Sequence, residues 1–186
     1  GIRAVVTESK SGRQAFCAKM YVDATGDGDL AALAGCGFDM GRPGDGKVQP
    51  MSYIGLISGV PLQTMRPYCL NYESEPGEAQ IAAQALFRRA GARISYSMPV
   101  FTHLKGEIYS ISLHHAYGVR CDDAAGISAA TAGARREMRE ALDALRKYDR
   151  AFSGLVLVES SASMGVREGR RVHGLYTVRA EDLIAG

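Results

Sequence analysis

Three arginines fall within five residues, Arg167, Arg170 and Arg171, in a run from Ser163 to Tyr176 that reads as strand, glycine turn and return strand. A fixed guanidinium stabilises negative charge developing on a reacting group and can hold a carboxylate through two parallel N–H bonds. Strand alternation puts Arg167 and Gly169 on one face and Glu168 and Arg170 on the other, so the two cations do not act together. Arg167 is the candidate for chemistry. The competing reading is an ordinary ion pair with Glu168 or Glu159. The other residue suited to moving a proton near neutral pH is a histidine of the His114-His115 pair. Neighbours in a strand point to opposite faces, so at most one reaches a site, and His115 is the candidate; a lone histidine is more often structural.

A second segment, Tyr21 to Gly35, holds Asp23, Asp27 and Asp29. Three acids at this spacing invite a calcium-loop reading, with Asp23 at position one and Gly28 at six. Position twelve is Ala34 rather than a bidentate glutamate, so the template fails. What remains is a strand closing on very small residues, Ala24, Thr25 and Gly26, where a backbone can approach a flat or phosphorylated ligand. Asp27 and Asp29 read as caps of a short helix, since carboxylates beside a pyrophosphate repel it. His103 and His173 have no partner at zinc-ligand spacing. Cys17, Cys36, Cys69 and Cys121 form no CxxC pair and read as inert buried thiols, which fits a reducing cytoplasm.

The elements that position these residues follow from pattern. Ile2 to Thr7 and Gln14 to Ala24 read as a hairpin around Gly12, followed by a short helix from Leu30 to Ala34. Gly35 to Lys47 carries five glycines and one proline in thirteen residues and reads as a loop where the chain crosses between domains. Further strands are expected at Val48 to Val60, two or three within Arg93 to Val119, at Gly154 to Ser160 and at Arg171 to Val178. Helices are expected from Glu78 to Ala90, from Ser128 to Tyr148 and at Glu181 to Ile184. Met138, Leu142, Leu145 and Phe152 recur at steps of four, three and seven, which gives the longest helix its buried face, and Asp143 with Lys147 adds a charge pair on it.

The 186 residues carry 22 basic and 20 acidic side chains, a net charge of +2, and are 46% hydrophobic. That balance excludes a dedicated nucleic-acid binder, and the excess of Arg over Lys reads as compositional. No apolar run approaches the length of a membrane span. The opening Gly-Ile-Arg-Ala-Val-Val has no signal pattern and reads as a strand entered in midstream, a piece of a longer protein.

Taken in order, the strand closing on Asp23-Ala24-Thr25-Gly26-Asp27-Gly28-Asp29, the glycine-rich loop, Gln49-Pro50 leading a strand, and the late Gly165-Val166-Arg167-Glu168-x-Arg170-Arg171 with Gly174 and Tyr176 resemble the FAD-dependent oxidoreductases of the glutathione-reductase-like superfamily. The resemblance spans both ends of the chain and little of Pro61 to Ser128. It lacks the G-x-G-x-x-G turn that opens the dinucleotide fold and the closing segment that touches the flavin ribityl chain.

The resemblance implies an α+β fold: an antiparallel sheet with helices on one face, as a cap or substrate domain over residues 36–186, and an edge of a Rossmann-like FAD domain over residues 1–35. The last residues would return towards the FAD domain. It implies FAD as cofactor, touched by Ala24, Thr25, Gly26, Asp27, Gln49 and Arg167, with Arg167 and His115 as catalytic residues and no metal. The partners it implies are a small-molecule substrate and the remainder of the same flavoprotein, with self-association left open and neither nucleic acid nor membrane. The alternative is a stand-alone ligand-binding or protein-interaction domain without redox activity. The two differ in whether a G-x-G-x-x-G turn lies upstream.

Overall fold

The computed structural model describes residues 1–185. In chain order the strands are β1 (Val5–Ser9), β2 (Gly12–Phe16), β3 (Phe38–Asp39), β4 (Met51–Ser58), β5 (Val100–Lys105), β6 (Ile108–Ala116), β7 (Val156–Ser160) and β8 (Arg171–Val172). The helices are α1 (Asp29–Leu33), α2 (Leu62–Met65), α3 (Glu78–Arg89), α4 (Ala124–Tyr148) and α5 (Ala180–Ala185). Every strand pair is antiparallel: β1 with β2, β3 with β8, and a four-stranded sheet in the order β5-β6-β4-β7. The class is α+β. The chain divides into two compact units, Gly1–Gly46 with Glu168–Gly186, and Lys47–Arg167.

In the 47–167 unit the four-stranded sheet forms because β4 and β6 alternate. Met51, Tyr53, Gly55 and Ile57 are buried on one face of β4, joined by Tyr109, Ile111 and Leu113 of β6. Helices α3 and α4 cover this face. Phe87 of α3 stacks on Phe101 of β5 at 5.8 Å, and a Cβ on Gly55 would meet Met138 of α4 at 3.3 Å, so the glycine is what lets α4 lie close to β4. Gly59, at φ +87°, ends β4 where any side chain would strike the Gly154 carbonyl.

α4 starts four residues before the sequence pattern suggests, because the Asp123 carboxylate accepts the Gly126 N–H at 2.8 Å and caps it. Met138, Leu142 and Leu145 are all buried, as the periodicity predicts. Phe152 lies beyond the helix in a short 3₁₀ turn, Arg150–Phe152. Asp143 pairs with Arg146 rather than Lys147. β6 carries a bulge opposite β4 between Tyr53 and Ile54, where the pairing steps from His114 to Ser112. The bulge turns both Leu113 and His114 towards the helices.

The other unit departs further from the sequence pattern. The strand expected to reach Ala24 stops at Phe16, since side chains intercept the backbone beyond it: the Tyr21 hydroxyl accepts the Ala18 N–H at 2.9 Å and donates to the Arg3 carbonyl at 3.0 Å. The strand expected from Arg171 to Val178 is the two-residue β8, which pairs with β3 inside the glycine-rich segment. Only Cys69 of the four cysteines is buried; Cys17 and Cys36 are exposed, so their small neighbours did not mark an interior.

Candidate functional site

The face of the four-stranded sheet turned away from α3 and α4 carries Ser52 of β4 and His115 of β6, which are register partners. A bridge between Ser52 and Gly165 brings the following residues alongside, with N–H to carbonyl distances of 3.2 and 2.8 Å. Arg167 then reaches back: its Nε donates to Ser52 Oγ at 2.8 Å and its Nη2 to the same oxygen. Ser52 is 8% exposed. A hydroxyl orients the guanidinium but leaves its charge uncompensated, and among the described residues Arg167 has no carboxylate partner. The ion-pair alternative therefore does not hold for Arg167.

His115 shares this face. Its ring stacks on Tyr96 with centroids 3.8 Å apart and planes 18° apart, and meets Tyr117 edge-on at 6.1 Å. Burial pushes the imidazole below its ordinary 6.5, and the neighbouring His114 and the Arg167 charge act in the same direction. The shift favours the neutral imidazole, the form able to accept a proton. Gln49, exposed and two residues before β4, belongs to the same unit.

The remaining arginines are neutralised within the other unit. Arg170 Nη1 bonds Asp29 Oδ1 at 2.6 Å and the Asp27 carbonyl at 3.0 Å. Arg171 bonds Glu168 at 2.6 Å and the Gly41 carbonyl at 2.5 Å. No strand runs through 166–170, so the expected alternation of Arg167 and Arg170 does not apply there; Arg167 belongs to the 47–167 unit and Arg170 to the other.

In that same unit the small-residue segment winds around Asp23. Its Oδ1 accepts the N–H and hydroxyl of Thr25 at 3.0 and 2.7 Å, and its Oδ2 accepts the Ala31 N–H at 2.8 Å. These bonds, the Thr25 N–H first among them, hold the carboxyl below its ordinary 3.8. Thr25 Oγ1 in turn accepts the Asp29 N–H at 2.9 Å. Asp23 and Thr25, rather than Asp27 and Asp29, satisfy the start of α1; Gly28 occupies the cap position in the left-handed region at φ 68°. Ala24, Thr25 and Gly26 are exposed. Gly26 sits at φ +91° with nothing within 4 Å of where a Cβ would stand, so its backbone is open on that side.

The other histidines are structural. His103 bonds the Tyr72 hydroxyl at 2.7 Å and the Gly106 carbonyl at 2.9 Å, His173 lies 3.2 Å from Asp39, and His114 faces Glu137 at 2.7 Å. Among the described residues no group of three or more His, Cys, Asp or Glu could hold a metal, and no helix is long and apolar enough to cross a membrane. Sequence reasoning missed Ser52, Tyr96 and Glu137. The alternation of β4 singles out the face of Ser52, whereas nothing local marks Tyr96 or Glu137, which meet β6 from 19 and 23 residues away.

These groups can be set against the flavin implied by the sequence resemblance. An uncompensated guanidinium beside a hydroxyl suits the pyrimidine end of an isoalloxazine, which gains negative charge on reduction. The open Gly26 backbone suits a flat ligand. The start of α1 does not suit a pyrophosphate, because the Asp23 carboxylate already fills it. No protein of curated function and no solved structure matches the chain. The family described as FAD dependent oxidoreductase does, over residues 1–186. The match runs the full length of the chain, and the protein therefore belongs to the FAD dependent oxidoreductase family, whose cofactor is FAD.

Proposed function

We propose that this chain serves the flavin-dependent oxidation or reduction of a small molecule, with the Arg167 and His115 face of the 47–167 unit turned to the reacting groups. The observation that carries this reading is Arg167 itself: a cation oriented by Ser52, with no carboxylate to neutralise it among the described residues. Arg167 is exposed, so its guanidinium is open to an arriving anion while Ser52 orients it. Bound FAD supplies the hydride chemistry. Arg167 would favour negative charge at the pyrimidine end, and His115 would take up or return the substrate proton that accompanies hydride transfer. Ser52 fixes the guanidinium, and the Tyr96 stack fixes the imidazole plane. Within the unit of residues 1–46 and 168–186, the exposed Ala24, Thr25 and Gly26 offer an open backbone edge to a flat ligand; within the 47–167 unit, Gln49 offers a polar contact.

The remainder of the same flavoprotein is the partner this reading implies. Val22, Leu33 and Leu175 are 86%, 88% and 111% exposed in the unit that contains them, and such an apolar set favours a covering surface.

Sulfite, which adds to the flavin ring and leaves an anion at its pyrimidine end, tests the role of Arg167 without needing the substrate. In the FAD-loaded protein, Arg167→Gln is expected to weaken sulfite binding about ten- to a hundredfold, the worth of one charge-assisted contact. Arg171→Gln, whose charge is already paired with Glu168, should leave it unchanged. Equal sulfite affinity in wild type and Arg167→Gln would remove Arg167 from the site.

A further inference from the structure

On the helix side of the four-stranded sheet, a carboxylate with no part in the proposed chemistry gathers an unusual set of bonds. Glu137 of α4 accepts the Ser95 N–H at 2.6 Å and the Ser95 hydroxyl at 3.0 Å on Oε1, and faces His114 Nδ1 at 2.7 Å with Oε2. Ser95 Oγ also accepts the backbone N–H of His115 at 3.0 Å. The next residue, Tyr96, donates its N–H to the Leu113 carbonyl at 3.1 Å and lays its ring on His115. One acid thus ties together α4, the strand that carries His115 and the segment that carries its stacking partner.

His114 is 9% exposed, and its Nε2 has no protein partner among the described residues. With hydrogen on Nδ1 the imidazole donates to Glu137, and Ser95 Oγ lies 3.0 Å from the same nitrogen. His114 is therefore a fixed donor to Glu137, which leaves both carboxylate oxygens occupied and the side chain with one orientation. Because strand neighbours point to opposite faces, an anchor behind His114 is also an anchor for the backbone that presents His115 on the other side.

We propose that Glu137 is a positioning residue for the Arg167 and His115 face: through Ser95 and His114 it fixes the main chain of His115 and sets Tyr96 flat against the imidazole. The inference rests on reading that face as the reacting surface, and it extends the site to a residue that touches neither cofactor nor substrate. Supporting shells of this kind set the precision with which a proton-transferring group is held. Around His115 stand His114 on its own strand, Ser52 across on β4, Arg167 beyond it, and Tyr96 and Tyr117 in ring contact.

Proton NMR of the 186-residue chain tests this without turnover. In the wild type the His115 ring protons should lie upfield, shielded by the Tyr96 ring, and titrate below 6.5. Glu137→Ala should lose most of the upfield shift and move the titration up towards 6.5. Ser95→Ala, a change at an exposed serine that leaves the core intact, should do the same in part. Glu137→Gln should retain the stack, since its carbonyl still accepts from Ser95. Leu142→Ala loosens the core without touching the network and should leave the His115 signals in place. Wild-type His115 shifts and titration in both Glu137→Ala and Ser95→Ala would overturn the proposal, as would an equal loss in Leu142→Ala. Failure of the underlying functional reading shows separately, as an Arg167→Gln protein whose sulfite affinity is unchanged while the His115 stack still answers to Glu137.

Discussion

Each of the two units is held together internally by a different kind of force. Every buried apolar side chain among the described residues lies between Met51 and Met164, inside the 47–167 unit, where a helix-covered sheet excludes water. Among its described residues, the unit made of 1–46 and 168–186 has none. It exposes Met20 and Leu33 and relies on local polar ties: the Asp23 loop, the bond of Arg170 to Asp29 and that of Arg171 to Glu168. Burial fixes register over long sequence separations, while short-range hydrogen bonds fix only the shape of a turn. The first kind of unit holds a residue such as Arg167 in one orientation, and the second offers an open backbone edge.

The largest effect that tests this contrast is on stability. Leu142→Ala, at a site with no exposure, should cost about 2–5 kcal/mol in chemical denaturation, whereas Leu33→Ala, 88% exposed, should stay within about 0.5 kcal/mol. Comparable losses from the two would mean that the smaller unit has a core of its own. Next in size is Tyr53→Phe. The Tyr53 hydroxyl donates towards Ser160 Oγ at 2.9 Å and the Ser161 carbonyl at 2.7 Å and accepts from Arg135 Nε at 3.1 Å. Its removal leaves those groups short of partners at a cost of about 1–3 kcal/mol, read from the same denaturation curves. A neutral result would show that water replaces the hydroxyl.

In the other unit the expected response is local and depends on pH. Asp23 has its folded value below the unfolded 3.8, so the stabilisation it gives is complete above 3.8 and is lost as pH falls through the lowered folded value. The amide signals of Thr25 and Ala31 should therefore titrate below 3.8, and Asp23→Ala should abolish that transition while leaving the signals of α4 unmoved. A midpoint at or above the ordinary value would mean that the bonds to Asp23 do not persist in solution.

The same contrast governs what could be read from sequence. Alternation and helical period act through burial, so β4, α3, α4 and the Met138, Leu142 and Leu145 stripe were legible. In the smaller unit the ladder competes with side-chain bonds from Tyr21 and Asp23, which propensity does not register, and the strand expected to run to Ala24 ended at Phe16. At the candidate site, alternation along β6 separated His115 from His114, whereas the segment from Arg167 to Arg170 is not a strand and alternation says nothing of it. Ser52, Tyr96 and Glu137 were invisible because each acts through a partner brought near only by the folded sheet and by α4. Asp23 was passed over in favour of Asp27 and Asp29 because capping rules look immediately before a helix, whereas this carboxylate reaches Ala31 from eight residues upstream.

Arg167, an exposed cation without a carboxylate partner among the described residues, is proposed to meet the negative charge of a reduced flavin. The two-electron reduction potential of FAD in the loaded protein tests it most directly, comparing wild type with Arg167→Gln. Loss of a charge-assisted contact made more strongly to the reduced form should lower the potential by about 30–60 mV. A potential that stays the same, or rises, when Arg167 loses its charge would remove Arg167 from the flavin's surroundings.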